Sequence, residues 1–190
     1  IVICSLGDGS VTEGEVAESL QMAVLHKLPI IYLIQDNDWG ISASGDEMRA
    51  MDAFEYGLGF KGLRRIRVNG SDFLQCHDEM KRAIDTVREE REPMLVHVKV
   101  PLLGHHTSGV RSEWYRDDLE KHERIDPLPR LKKLLQSVAV TDAELDAILA
   151  NAYLLKGQIH DKKHERMEAV ISYQKCIKRD NHAHAIILAK

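Results

Sequence analysis

Apolar residues gather in three short runs: Ile1-Val2-Ile3-Cys4-Ser5-Leu6, Pro29-Ile30-Ile31-Tyr32-Leu33-Ile34, and Pro93-Met94-Leu95-Val96-His97-Val98-Lys99-Val100, which Pro101 ends. Short β-branched runs bounded by turn residues predict buried strands. Between the first two, Val16, Leu20, Ala23 and Val24 recur at helical spacing. They predict a helix from Thr12 to His26, with Thr12 as N-cap, Glu13 and Glu15 in the first turn, and Leu28-Pro29 as the stop. Leu63 to Val68 alternates like a strand and breaks at Asn69-Gly70-Ser71-Asp72. Phe73 to Glu90 then reads as an amphipathic helix with Met80, Ile84 and Val87 on one face. Strands alternating with helices predict an α/β fold with a largely parallel sheet.

The remainder is less regular. Residues 40–62 are rich in Gly, Asp and Met, with a short helical pattern from Glu47 to Tyr56. Leu103 to Gly109 is a polar loop, and Trp114 to Glu123 reads as a charged helix. Pro127 and Pro129 introduce a helix through Leu131, Leu134 and Leu135, and Thr141 and Glu144 form a capping box for the next. From about Ala150 the texture changes to two helical stretches, 151–160 and 164–179, with no strand pattern after Val100. The expected division is therefore an α/β domain over 1–149 and an all-α helical hairpin over 150–190.

Charge reinforces that division. Residues 151–190 carry eight Lys/Arg against four Asp/Glu, whereas residues 1–150 carry 18 against 26. The overall charge of −4 gives no reason to expect a nucleic-acid partner. Cys4, Cys76 and Cys176 are far apart and read as the reduced, packing cysteines of an intracellular protein, cytoplasmic or in the mitochondrial matrix of a eukaryote. No apolar run approaches a membrane span. The chain opens inside a strand without Met, which reads as a fragment.

The candidate chemistry lies where the first two strands end. Asp8 follows the first, in Gly7-Asp8-Gly9-Ser10; Asn37 follows the second, in Gln35-Asp36-Asn37-Asp38-Trp39. A one-helix crossover sets these ends side by side at the sheet edge where α/β proteins bind ligands. Two hard oxygen ligands beside a backbone turn suit a magnesium ion carrying a diphosphate.

The longer pattern Gly7-Asp8-Gly9-Ser10-x-x-Glu13-Gly14, then Asn37-x-Trp39-Gly40-Ile41-Ser42, resembles the thiamine-diphosphate signature of 2-oxo acid dehydrogenase alpha subunits, the decarboxylating component of the pyruvate and branched-chain complexes. Val68-Asn69-Gly70-Ser71-Asp72 sits where that family has a Val-Asp-Gly-Asn-Asp turn. Gly104-His105-His106-Thr107-Ser108, with Tyr115-Arg116, resembles its active-site and phosphorylation loop. The resemblance implies a partial thiamine-diphosphate-binding fold in which Asp8, the Asn37 side chain and the Trp39 carbonyl coordinate Mg²⁺. The backbone of Gly9 and Ser10 would meet the diphosphate. His106 would contact the cofactor and serve catalysis, including acyl transfer to a lipoyl group, and Thr107 stands at the serine phosphorylated in mitochondrial members.

Two departures accompany it. The family often has two asparagines where this chain has Asp36-Asn37, and Gln35 stands where some members carry arginine. Outside the resemblance, His97 reads as a packed strand residue, His105 as solvated, and Arg111 and Arg116 as solvated loop charges. The implied reaction is oxidative decarboxylation of a 2-oxo acid, pyruvate or branched-chain. The implied partners are a beta subunit or fused beta half, which supplies a glutamate missing here, and a lipoyl-bearing acyltransferase, with two alpha and two beta chains in the parent enzyme. Alone the chain is expected to be inactive.

The tail has its own resemblance. Tyr153, Gly157, Ala169, Tyr173 and Cys176, ending at Asp180-Asn181, follow a tetratricopeptide repeat, and Ile186-Ile187-Leu188 would begin another. One repeat does not bury its own apolar face. The alternative readings are a non-enzymatic interaction protein working through that tail, and a transketolase-like enzyme. The His105-His106-Thr107-Ser108 loop argues against the second.

Overall fold

A computed structural model describes residues 1–106, 109–162 and 166–177 of the chain. They form two compact units, Ile1–Arg130 and Leu131–Lys190. The first holds a four-stranded sheet of β1 (Val2–Gly7), β2 (Ile30–Asp36), β3 (Arg64–Asn69) and β4 (Met94–Lys99), all parallel, in the order β1-β2-β4-β3. The sheet is the one the apolar runs predict. Its inner strands are buried on both faces, which is why they read as continuous apolar runs.

α1 (Gly14–Leu25) crosses from β1 to β2, and α4 (Phe73–Glu90) from β3 to β4. The two crossovers run in opposite directions along the sheet. Right-handed connections therefore put the helices on opposite faces. Side-chain alternation follows. Tyr32, Ile34 and Leu95 pack with Val11, Leu20, Ala23, Ala53 and Leu63, while Ile31, Met94, Val96 and Val98 pack with Val68, Ala83 and Val87. Met80 and Ile84 join the second cluster, on the helix face the sequence selects.

Local details differ from expectation where a turn wins over a helix. Residues Asp8–Thr12 form a 3-10 turn, so Thr12 does not cap α1. Its hydroxyl instead donates back to the Gly9 carbonyl at 3.5 Å, and Glu13 occupies the N-cap position. The pattern from Glu47 to Tyr56 divides into α2 (Gly45–Met48) and α3 (Ala53–Tyr56), because each has its own capping box, Ser44 with Glu47 and Asp52 with Glu55. The helix expected over Trp114–Glu123 is a 3-10 turn, Ser112–Trp114, followed by α5 (Leu119–Arg124).

Gly70 fixes how β3 ends. Its N–H donates to the Lys99 carbonyl at 2.7 Å, and a Cβ there would lie 2.5 Å from that same oxygen. No side chain fits between these two strand ends.

α6 (Pro127–Ser137) leads to α7 (Asp142–Lys162) and α8 (Arg166–Ile177). The Thr141–Glu144 capping box forms as the sequence predicts, with Thr141 N–H donating to Glu144 at 2.8 Å. α7 runs unbroken through the expected juncture at Ala150, and the two units part earlier, at Arg130. Ala150, Ala169 and Ser172 are buried in the second unit, and Lys175 lies over the Tyr153 ring at 5.7 Å. The Cys176 side chain and the stretches Asp180-Asn181 and Ile186-Ile187-Leu188 lie outside the described residues. Cys4 and Cys76 are free thiols. Among the described residues no helix is long and apolar enough to cross a membrane.

Candidate functional site

Because all four strands are parallel, their carboxyl ends share one edge. In register, Gly7 faces Gln35, and Lys99 faces both Asp36 and Asn69. Asp8 therefore enters the 3-10 turn immediately beyond β1, next to the end of β2. Its side chain is 4% exposed. The β2 end is shaped by two successive side-chain-to-backbone bonds. Asp36 Oδ1 accepts from Asp38 N–H and Asn37 Oδ1 accepts from Trp39 N–H, each at 3.0 Å. These local rings let Asp38 adopt a left-handed φ of 67° and pin the Asn37 turn.

Asp36 is the residue whose importance the sequence concealed. It is fully buried, and besides the Asp38 N–H it gathers three cationic or imidazole groups. Arg49 Nη2 lies 3.1 Å from Oδ1, while His97 Nε2 and Lys99 Nζ lie 2.6 and 2.9 Å from Oδ2. Burial pushes the carboxyl pKa up, but the His97 and Lys99 hydrogen bonds and the Lys99 and Arg49 charges outweigh it and hold it well below the ordinary value. The clue was available: an acidic residue ending an apolar strand opposite His97-Val98-Lys99 must find charge there.

Arg49, just past α2, is the second residue the sequence reading missed. Its side chain is 6% exposed. Nη1 pairs with Asp8 Oδ2, and Nη2 also reaches Asp38 Oδ1 at 3.0 Å. A Cβ on Gly45 would fall 2.3 Å from Asp38 Oδ1 and 2.8 Å from Arg49 Nη2, so this meeting requires a bare backbone at 45. Even so, burial and the neighbouring Asp36 charge raise the Asp8 pKa, and Arg49 offsets them only in part. Two buried carboxylates at adjacent strand ends thus leave room for further positive charge.

A second layer supports the turn. Trp39 Nε1 donates to Asp118 Oδ2 at 3.1 Å, and its ring packs against Tyr115 at 5.6 Å and under the Arg116 guanidinium at 5.2 Å. Arg116 is not a solvated loop charge. Its side chain is 0% exposed, donating to Asp118 at 2.7 Å and to the Leu102 carbonyl at 3.2 Å. Arg111 instead pairs with Glu113 at the surface. His105 is not simply solvated either, since its Nδ1 accepts from Ser112 N–H at 3.1 Å. His106 stands exposed on the same loop. Among the described residues it takes no part in the hydrogen bonds or ion pairs of the Asp8 cluster, and Thr107 and Ser108 lie outside the described residues. His97 is packed, as expected, and carries the Asp36 bond in addition.

The donor chemistry at the strand ends fits a hard divalent cation. Among the described residues no group of three or more His, Cys, Asp or Glu is arranged to hold a metal. Mg²⁺ itself binds through one or two carboxylates and completes its shell with phosphate and water oxygens. Asp8, the Asn37 carboxamide and the Trp39 carbonyl are oxygen donors of that kind. Gly9 and Ser10 lie in the turn beside them, Gly9 half-buried and Ser10 exposed.

The family profile of the dehydrogenase E1 component matches residues 1–162, and the chain belongs to that family. The match runs past Ala150 to the end of α7. The chain is 34% identical over 146 residues to the pyruvate dehydrogenase E1 component subunit alpha of Rickettsia conorii, covering 75% of this chain and 44% of the relative. It is 28% identical over 164 residues to the 3-methyl-2-oxobutanoate dehydrogenase subunit alpha of Mycobacterium tuberculosis, covering 85% and 45%. The chain thus spans less than half the length of these relatives. A transketolase structure from Campylobacter jejuni overlaps 51% of this chain and 15% of its own at 23% identity and a TM-score of 0.45.

Proposed function

We propose that this chain supplies the metal-and-diphosphate half of the active site of a thiamine-diphosphate-dependent 2-oxo acid dehydrogenase. One observation carries the reading: buried Asp8 and the turn-held Asn37 lie just beyond paired ends of adjacent parallel strands. Asp8, Asn37 and the Trp39 carbonyl would hold Mg²⁺, and the Gly9-Ser10 backbone would meet the diphosphate. Bound thiamine diphosphate supplies the carbon nucleophile and electron sink for decarboxylation.

The chain's own residues bind and orient. Asp36 holds the Asn37 turn through Asp38 N–H, and the Trp39–Asp118–Arg116 cluster joins that turn to the loop carrying His106. His106, an imidazole exposed on that loop, is the group on this chain assigned to moving a proton. A beta subunit or fused beta half would complete the site, in a two-alpha two-beta assembly that passes the acyl group to a lipoyl-bearing acyltransferase. The substrate class is a 2-oxo acid, pyruvate or branched-chain, in keeping with the names of both relatives.

The test is titration of thiamine diphosphate with Mg²⁺ into the alpha–beta assembly, followed by Trp39 fluorescence and by 2-oxo acid turnover. A saturable quench lost in Asp8→Ala and Asn37→Ala is expected. Saturation unaltered by either substitution would overturn the assignment.

A further inference from the structure

The Asp8 carboxylate already has a cation. Arg49 Nη1 pairs with Asp8 Oδ2, with both side chains almost wholly withdrawn from solvent. Among the described residues this is the ion pair Asp8 makes, whereas Asp36 has Lys99 and His97 as well as Arg49. The two ends of the guanidinium thus do different work. Nη2 bridges Asp36 and Asp38, which hold it whether or not Asp8 is engaged, and Nη1 alone serves Asp8. A divalent ion and a guanidinium nitrogen on one buried carboxylate oxygen would repel each other strongly where screening is weak.

We infer that Arg49 is a built-in counter-cation for Asp8 that a divalent metal must displace, Nη1 leaving Asp8 while Nη2 stays on Asp36 and Asp38. The inference rests on the metal assignment of Asp8 above. It gives Arg49 a role of its own: it keeps the two adjacent carboxylates compatible when no metal is bound, and it sets the metal affinity by competition. Arg49 suits the role because its planar fork can hold two partners with one nitrogen while releasing a third from the other. Its attachment just past four-residue α2, in the segment between β2 and β3, leaves the sheet untouched by that movement.

Mn²⁺ is the probe, and free Mn²⁺ is counted by its electron paramagnetic resonance signal with the chain in the alpha–beta assembly. Arg49→Gln is expected to bind Mn²⁺ about tenfold more tightly than wild type, the factor by which a competent state populated at about 10% weakens apparent affinity. Arg49→Lys, which keeps the charge without the fork, should fall between. In wild type, Mg²⁺ should shift the Arg49 Nε–H resonance in nitrogen-edited NMR, a readout that does not depend on how well the variants fold.

Equal or weaker Mn²⁺ binding by Arg49→Gln, or an Arg49 resonance that stays fixed while metal binds, overturns the inference. Asp8→Asn separates the two readings. If it abolishes Mn²⁺ binding and Arg49→Gln changes nothing, only the role of Arg49 fails. If Asp8→Asn binds as wild type does, or wild type binds no Mn²⁺, the metal assignment fails and takes this inference with it.

Discussion

His97 Nε2 lies 2.6 Å from Asp36 Oδ2, and neither side chain has any exposed surface. The pair ties β4 to the end of β2 directly beneath the Asn37 turn. Breaking a buried charge cluster from one side leaves the other side uncompensated, so the two partners should differ in cost. Asp36→Leu strands the buried imidazole and takes a carboxylate from Lys99 and Arg49. It should destabilise by about 3–5 kcal/mol. His97→Leu leaves Asp36 with Lys99 and Arg49 and should cost about 1–3 kcal/mol. Urea unfolding midpoints measure both. The reverse order would mean that Lys99 and Arg49 do not compensate Asp36.

The second layer should respond to pH. His122 Nδ1 accepts from Leu102 N–H at 2.9 Å, which fixes the neutral tautomer with Nε2–H toward Asp118, also at 2.9 Å. Burial pushes the His122 pKa below its usual 6.5, aided by Arg116 and opposed by Asp118. The folded state therefore binds fewer protons there than the unfolded state. The His122 contribution is complete above pH 6.5 and declines as pH falls below it. Asp118 acts in a lower window. Burial raises its pKa, but hydrogen bonds from Arg116 and Trp39 prevail and bring it to about 2. Its contribution is full above the ordinary 3.8 and is lost as pH drops through about 2. Melting temperatures between pH 5 and 7.5 should slope upward in wild type and flatten in His122→Gln.

Trp39→Phe keeps a ring beside Tyr115 and Arg116 but deletes the Nε1–H bond to Asp118. About 1 kcal/mol should be lost, the worth of one such bond. The loss should be local, seen as faster amide exchange at Tyr115 and Arg116, whose N–H groups donate to the Ser112 carbonyl. Unchanged exchange there would show that the loop holds without Trp39.

Gly70→Ala forces a methyl to within 2.5 Å of the Lys99 carbonyl oxygen, a backbone atom that has no rotamer to escape into. A cost of about 1–3 kcal/mol is expected. Gly104 has nothing within 4 Å of where its Cβ would stand, and Gly104→Ala should shift the thermal midpoint far less.

The sheet was legible because its physics is local. Apolar runs such as Ile30–Ile34 and Met94–Val98 have few other ways to bury themselves, and one-helix crossovers order parallel strands. Asp8 and Asn37 were legible for the same reason, as residues ending two such runs. Arg49 was not, because nothing in the irregular stretch from 40 to 62 says which way its side chain turns. Arg116 misled for a related reason: a charge in a polar loop reads as solvated until the ring of Trp39 and the carboxylate of Asp118 close over it. The juncture near Ala150 followed composition, whereas α7 follows its own hydrogen bonds straight through it.

Gly45 bears no charge and touches no ligand, yet Arg49 and Asp38 can meet only over its bare Cα. Natural variation at positions 45 and 38 should therefore be correlated. Lineages that acquire a side chain at 45 should lose the carboxylate at 38, while Asp8 and Asp36 still hold arginine at 49. An alignment would then record the charge cluster in a column where no charge ever appears.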